Sequence, residues 1–368
     1  MPIALVTNYL PPYRLPLYEL LSERYGVEVY CFGGEARYVP ESLRDLDSQI
    51  AAAPFPAHRL ERQSEAARLG ADHDAVIAPI AGRVALPSAF RGARHSHTPF
   101  VLWASLWRHP LTVAHFFSVS LMRRIYKRAD AVVTYGHHVS RYVGRHRKSS
   151  ETVFVAPQAV EADLFGRRVA EAEKADWRAR AGLPAHAPVV LFVGRFDKEK
   201  GIEVLLKSWA RLGEARGNAV LCLVGDGPLG VRADGIDGVV LAGRVAREEL
   251  PVVYASAEMV VVPSIATRRF LEPWGLVCNE AMYQSKPVIA SSAVGAVPGM
   301  LVTHGGSGLV VRGGDDRELA EAIARLLEDE PLRERLGRQA RAAVEPYTYE
   351  AAADGFGQAL QVALAHKS

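Results

Sequence analysis

Cysteine is scarce in this 368-residue chain. It occurs three times, as Cys31, Cys222 and Cys278. An odd count with no paired spacing argues against a disulfide framework and against a cysteine-based zinc site. All three lie in apolar segments and read as buried thiols in a reducing compartment. Long hydrophobic runs are lacking too, since no uninterrupted stretch approaches the roughly 20 apolar residues that span a bilayer. The opening sequence, MPIALVTNYLPPYR, has no basic leader region, and its apolar run breaks after six residues, unlike a secretory signal. These absences predict a cytoplasmic protein. The P-loop pattern GxxxxGK[ST] is missing. Carboxylate pairs that resemble short metal-binding patterns are few. Asp45-Leu46-Asp47 and Asp72-His73-Asp74 match Asp-x-Asp, but neither follows a buried strand and the second precedes one, so both read as solvated turns. His95-Ser96-His97 has no third ligand nearby and reads as a surface loop. No metal is expected.

The net charge of +3 conceals an asymmetry. Residues 1–170 hold 21 Lys/Arg against 15 Asp/Glu, and the remainder holds 23 against 26. Much of the excess lies between Arg123 and Lys148, where eight cations face only Asp130. Such a stretch is either a solvated helix face or a patch for an anionic membrane or acceptor. No aromatic residues interleave with it in a binding motif, so nucleic acid is not expected as a partner.

What the chain has in abundance is alternation. Apolar runs at 3–8, 27–32, 74–80, 99–105, 130–136 and 152–157 read as buried strands, with helical periodicity near 14–24, 111–128 and 137–146. A second series of strands begins at 189–194 and continues at 219–225, 239–243, 259–264, 287–292 and 308–311. Helices are expected at about 201–213, 246–255, 275–285, 315–327 and 331–343. Continuous apolar strands alternating with helices imply parallel sheets covered on both faces. Two such series predict an α/β protein of two doubly wound Rossmann-like domains facing across a cleft. The first is 1–170 and the second 171–348, and a last helix at 349–366 crosses back to the first. Residues 34–73 are the least readable. Open α/β sheets bind ligands outside the carboxyl ends of their strands, so chemistry is sought in the loops that follow them.

The loop GRFDKEKG (194–201) follows the first strand of the second series. It is neither a P-loop nor GxGxxG. Arg195 and Lys200, beside helix N–H groups, would suit a phosphate or diphosphate. A second loop, IATRRFLEPWGLVCNEAM (265–282), follows strand 259–264. Pro273 suits a helix start and Gly275 permits close backbone approach. The N–H groups of Gly275, Leu276 and Val277 would carry the positive end of the helix dipole. Glu272 would repel phosphate there and so should hold sugar hydroxyls, whereas Glu280 could accept from a ribose diol.

These residues together resemble the family 4 retaining glycosyltransferases, which have the GT-B fold. The matching features are GRFDKEKG (194–201), VGDGP (224–228), AGRV (242–245), the Glu-x7-Glu motif EPWGLVCNE (272–280) and PVIASSAVGAVPGML…GGSGLVV (287–311). The likeness is close over 188–344 and looser before, through PPYRLPLY (11–18), the YG of 135–136 and APQAVEADLF (156–165). It implies metal-independent, retaining transfer of a hexose-type sugar from a UDP- or GDP-sugar to a hydroxyl. Arg195 and Lys200 would bind the diphosphate, Glu272 the transferred sugar and Glu280 the ribose. Gly194, Asp226, Gly227, Arg244, Trp274 and Gly275–Val277 would complete the donor contacts. On the acceptor side the first loop lacks the family's glycine pair, and Ser105 stands where many members place a histidine. His109, four residues on, is the candidate replacement, with Tyr9, Arg14 and His137 as further contacts. The acceptor could be a glycan, a lipid-linked or cell-envelope glycan, or a small molecule. Epimerases or hydrolases of the same fold, and a non-catalytic nucleotide-sugar-binding protein, are the alternatives.

Overall fold

The computed structural model describes residues 2–33, 45–110 and 113–365, and for 113–117 the backbone alone. The chain divides into two compact units, 1–159 with 348–368, and 160–347. Val160–Ala170, grouped by sequence with the first half, lie in the second unit. The start of the expected helix at 111–112, and His366 at the end of the last one, fall outside the described residues, as do residues 34–44 of the unreadable stretch.

The first unit runs β1 (Ile3–Thr7), α1 (Leu15–Tyr25), β2 (Val27–Cys31), α2 (Leu46–Ala51), β3 (Ala57–Arg59), α3 (Leu69–Asp72), β4 (Ala75–Pro79), α4 (Ala85–His95), β5 (Phe100–Ala104), α5 (Val113–Arg128), β6 (Ala131–Thr134), α6 (His137–Gly144) and β7 (Val153–Val155). All seven strands are parallel, in the order β3-β2-β1-β4-β5-β6-β7. Alternate side chains leave opposite faces of a strand. Accordingly Ile3 and Leu5 join one core with Leu17, Tyr18 and Phe356, while Ala4 and Val6 join another with Leu86, Phe90 and Ile125.

The second unit runs α7 (Ala162–Phe165), α8 (Glu171–Arg180), β8 (Val189–Val193), α9 (Ile202–Leu212), β9 (Val220–Val224), β10 (Val239–Gly243), α10 (Leu250–Ala255), β11 (Met259–Val262), α11 (Leu276–Tyr283), β12 (Val288–Ser291), β13 (Gly308–Val311), α12 (Asp316–Glu328) and α13 (Glu330–Val344). Its strands are parallel in the order β10-β9-β8-β11-β12-β13. The final helix, α14 (Tyr349–Ala365), belongs to the first unit, where Phe356 meets Trp103 edge-on at 5.1 Å. All three cysteines are free and buried. No helix among the described residues is long and apolar enough to cross a membrane.

The elements not expected from sequence include the short helices α2, α3 and α7, and also β3 and α4. β3 is a three-residue edge strand, too short to show a period. α4 carries Pro87 and Gly92 inside it, which mask its helical signal. Gly92 is there for contact, because a Cβ at this position would lie 1.9 Å from the Ala67 carbonyl oxygen. Gly92→Ala is therefore expected to destabilise the protein by about 1–3 kcal/mol through overpacking. Urea denaturation checks this, and an unchanged midpoint would refute the contact.

Candidate functional site

In both sheets the strand order reverses at one point, between β1 and β4 and between β8 and β11. Loops leaving the carboxyl ends of strands at such a point diverge and leave a crevice. The second unit places its candidate residues there. The loop after β8 ends in Lys200, and the loop after β11 carries Glu272. Lys200 Nζ and Glu272 Oε2 meet at 2.5 Å. Glu272 is almost wholly buried and also accepts from Ser264 Oγ at 3.2 Å. Its backbone is fixed by a bridge to Val294 and by the Gly295 N–H, 3.1 Å from its carbonyl. The two loops touch through Gly201, whose φ of +76° is left-handed and whose Cβ would fall 2.0 Å from the Pro263 oxygen. Glycine is thus required at the turn that delivers Lys200.

The segment between the two glutamates forms a helix start. Gly275 has φ +98° and opens α11, where the Cys278 N–H bonds to the Gly275 carbonyl at 2.9 Å. The N–H groups of Leu276 and Val277 precede that first helical bond and carry the positive end of the helix. Trp274, grouped by sequence with the donor contacts, is only 2% exposed. Its indole N–H donates to Asn279 Oδ1 at 2.8 Å and its ring packs on Tyr347 at 5.5 Å. It holds the loop from beneath.

Glu280 is partly buried on α11 and accepts from the Tyr254 hydroxyl at 2.5 Å. Burial holds its carboxyl above the usual carboxylate range, against the opposing effects of that hydrogen bond and of the Arg247 charge. Arg247 is in turn paired with Glu161 at 3.0 Å. Tyr254, Arg247 and Ser264 were not foreseen. Tyr254 and Ser264 sit among apolar neighbours, and nothing in their spacing marks them off from core positions.

Arg195 is exposed and forms an ion pair with Asp197. The backbone links its loop to the one after β9, through Gly194 N to Val224 O at 3.0 Å and Phe196 N to Asp226 O at 2.6 Å. Asp226 pairs with Arg244 at 2.7 Å, both side chains exposed. Gly227 packs against Phe196, where a Cβ would lie 2.7 Å from its nitrogen. The stretch 225–230, GDGPLG, does spell GxGxxG. It leads into a three-residue 3-10 turn at Gly230–Arg232, where a dinucleotide fingerprint leads into a long helix.

At the reversal in the first unit, a polar pocket of about 160 Å³ is lined by Asn8, Tyr9, Arg14, Ala81, Ser105 and Tyr135 among others. Arg14 donates to the Tyr135 hydroxyl and lies 4.2 Å over the Trp103 ring. Burial raises the Tyr135 pKa, so the hydroxyl stays neutral and accepts. Among the described residues no carboxylate reaches Arg14 within ion-pair distance. His109 lies elsewhere. It lines an adjoining apolar cavity of about 630 Å³ with Leu86, Leu106, Leu121 and Met122. Ile80 and Ala81 border both cavities. Ser105 thus lines the first cavity and His109 the second. His137 is exposed at the start of α6, while His138 is buried edge-on to Trp107 at 5.5 Å. Trp103 is core, as its burial shows. The first Asp-x-Asp pair has structural partners: Asp45 caps α2 through Ser48 N at 3.1 Å, and Asp47 pairs with Arg59 at 2.6 Å. The basic stretch is in part structural, since Arg147 donates to the carbonyls of Tyr126 and Ala129 at 2.6 and 2.9 Å.

This architecture is shared with known proteins. Residues 173–343 match the family model of the glycosyl transferases group 1. The alpha-D-kanosaminyltransferase of Streptomyces kanamyceticus is 34% identical over 48% of this chain and 46% of its own. A D-inositol 3-phosphate glycosyltransferase of Stackebrandtia nassauensis is 32% identical over 63% of this chain and 55% of its own. The chain thus spans about half the length of the curated relatives it matches. Among solved structures, HepE of Anabaena in complex with UDP superposes with a TM-score of 0.78 at 20% identity, over 98% of this chain and all of that one. Sucrose-phosphate synthase of Thermosynechococcus elongatus gives 0.70 at 25% identity over 98% of each. The fold is therefore that of two parallel-sheet, Rossmann-like α/β domains, as in the GT-B glycosyltransferases.

Glu280 provides a test of the site's electrostatics. A carboxyl whose pKa is raised on folding contributes stability fully below its unfolded pKa of about 4.3 and loses it as pH rises through the folded value. Glu280→Gln removes this ionisation yet keeps an acceptor for Tyr254. The variant should be more stable than the parent at pH 7, with the difference shrinking as pH falls toward 4. Guanidinium denaturation at several pH values checks this; a constant difference would contradict it.

Proposed function

We propose that the chain is a glycosyltransferase that moves a hexose-type sugar from a UDP- or GDP-sugar to a hydroxyl acceptor. The observation that carries this reading is the meeting of Lys200 and Glu272 where the second sheet reverses, beside the start of α11. Cleavage of the anomeric C–O bond leaves negative charge on the nucleoside diphosphate. A fixed ammonium and helix N–H groups aimed at that charge are worth several kcal/mol in the transition state. Lys200 takes that role together with the Leu276 and Val277 amides, and Arg195 joins them by leaving Asp197. Glu272, held by Lys200 and Ser264, accepts hydrogen bonds from the sugar hydroxyls. Glu280 accepts from the ribose, which offers it a neutral donor that a raised pKa does not forbid. Asp226, Gly227 and Arg244 border the base.

Transfer with retention and without a metal ion is part of the proposal. It rests on the Glu-x7-Glu resemblance and on the cations available to the leaving group. The polar pocket of the first unit takes the acceptor. Arg14, charged and without a carboxylate, suits a phosphate or carboxylate borne by that acceptor, and Ser105 and Tyr9 suit its hydroxyls. The matched relatives named as glycosyltransferases, and HepE with its bound UDP, support the class of donor.

Calorimetric titration with UDP and GDP tests the reading. One nucleotide should bind in the presence of EDTA, and Lys200→Met should weaken it by about 1.5–3 kcal/mol, the worth of a hydrogen bond to a charged group. Binding abolished by EDTA would overturn the metal-free proposal. Unchanged affinity in Lys200→Met would overturn the placement of the diphosphate. Sugar released in the absence of any acceptor, or an isomerised nucleotide sugar, would show hydrolysis or epimerisation in place of transfer.

A further inference from the structure

The second unit has a second concentration of positive charge, away from the loops just described. Arg167, Arg168, Lys174, Lys286 and Arg341 line one cavity of about 340 Å³, with Gly166, Tyr283 and Gln284 among the other residues of its wall. Lys286 lies two residues before β12, on the side of the strands' amino ends, whereas Lys200 and Glu272 follow the carboxyl ends of β8 and β11. Three of the cations have acidic neighbours. Arg167 pairs with Glu173 at 2.8 Å and Lys174 with Glu171 at 2.5 Å. Arg341 lies 3.9 Å from Glu345, beyond hydrogen-bond reach, and its Nη1 is buried without a hydrogen-bond partner. Arg168 and Lys286 have no carboxylate within ion-pair distance among the described residues. The acid that most influences Lys286, Glu258, is committed to the Val189 N–H.

Capping of α11 does not explain the cluster. The terminal carbonyls of Ala281 and Met282 are already taken by the N–H groups of Gln284, Lys286 and Ser285 at 2.9–3.1 Å. Nor is the arrangement favourable by itself. Lys286 is largely withdrawn from water beside Lys174 and Arg333, and its pKa falls to about 8. Burying a cation among other cations is costly unless an anion joins them.

We propose that this cavity is a second anion site that binds a phosphate group, distinct from the nucleotide site and independent of the function proposed above. Arg168 and Lys286 supply the uncompensated charge, and Arg167 and Arg341 supply guanidinium N–H donors in a geometry suited to phosphate oxygens. The ligand is a phosphate monoester or a comparable small dianion, either free or as a lipid headgroup.

Thermal denaturation in increasing inorganic phosphate, against sodium chloride of matched ionic strength, tests the site. Phosphate should raise Tm saturably. Arg168→Gln and Lys286→Met should each raise the half-saturating concentration about tenfold, the effect of one lost charge-assisted hydrogen bond. Lys200→Met should leave the response intact. An equal rise in every variant would mark a general salt effect and overturn the proposal. A response lost only in Lys200→Met would mean that phosphate occupies the nucleotide site, and would overturn it too. Should Lys286→Met fail to fold, the exposed Arg168 decides the matter alone. Sedimentation with phosphatidylcholine vesicles containing phosphatidic acid separates the two sources. Binding abolished by Arg168→Gln assigns a headgroup, and no binding alongside a phosphate response assigns a soluble ester.

Discussion

A buried carboxylate is held against a lysine where the strand order of the second parallel sheet reverses. Glu272 is one-tenth exposed at its side chain, and Lys200 under a third. A carboxylate so withdrawn from water needs a cation or donors, and removing one partner of such a pair leaves the other charge unsatisfied. The fold supplies the partners by backbone geometry. A left-handed glycine against the end of β11 aims Lys200, while a β-bridge and a buried tryptophan fix the loop of Glu272. The side chains are thus set before any ligand arrives, which is the condition under which fixed charges lower a barrier.

The same geometry explains why the two units differ chemically although their sheets have the same winding. At the reversal in the second unit, both loops carry charge and a helix begins between the two glutamates. At the reversal in the first, the loop after β1 brings a single guanidinium over an indole ring, next to a neutral tyrosine hydroxyl. In the proposed reading the site in the second unit takes a diphosphate and a polyhydroxylated ring, and that in the first a smaller anionic or hydroxyl-bearing group.

Much of this was legible in the sequence, for physical reasons. Strands buried on both faces are continuous apolar runs, so twelve strands could be placed to within about two residues at each end, whereas the three-residue β3 and the glycine- and proline-bearing α4 could not. Lys200, Glu272 and Glu280 stood out because they sit in the loops and the helix start that follow buried strands, with Pro273 and Gly275 between the two glutamates. Trp274 was grouped with the donor contacts, and that its ring is buried is visible only in the structure. His109 and Ser105 are four residues apart in sequence but line different cavities. The partners Tyr254 and Ser264 were invisible, since long-range pairing leaves no periodic trace.

A crystal structure with a nucleoside diphosphate bound tests the central claim most directly. A terminal phosphate should lie within hydrogen-bond reach of Lys200 Nζ and of the Leu276 and Val277 amides, with the ribose on Glu280. A nucleotide seated elsewhere, with no phosphate near Lys200 or the start of α11, would contradict it.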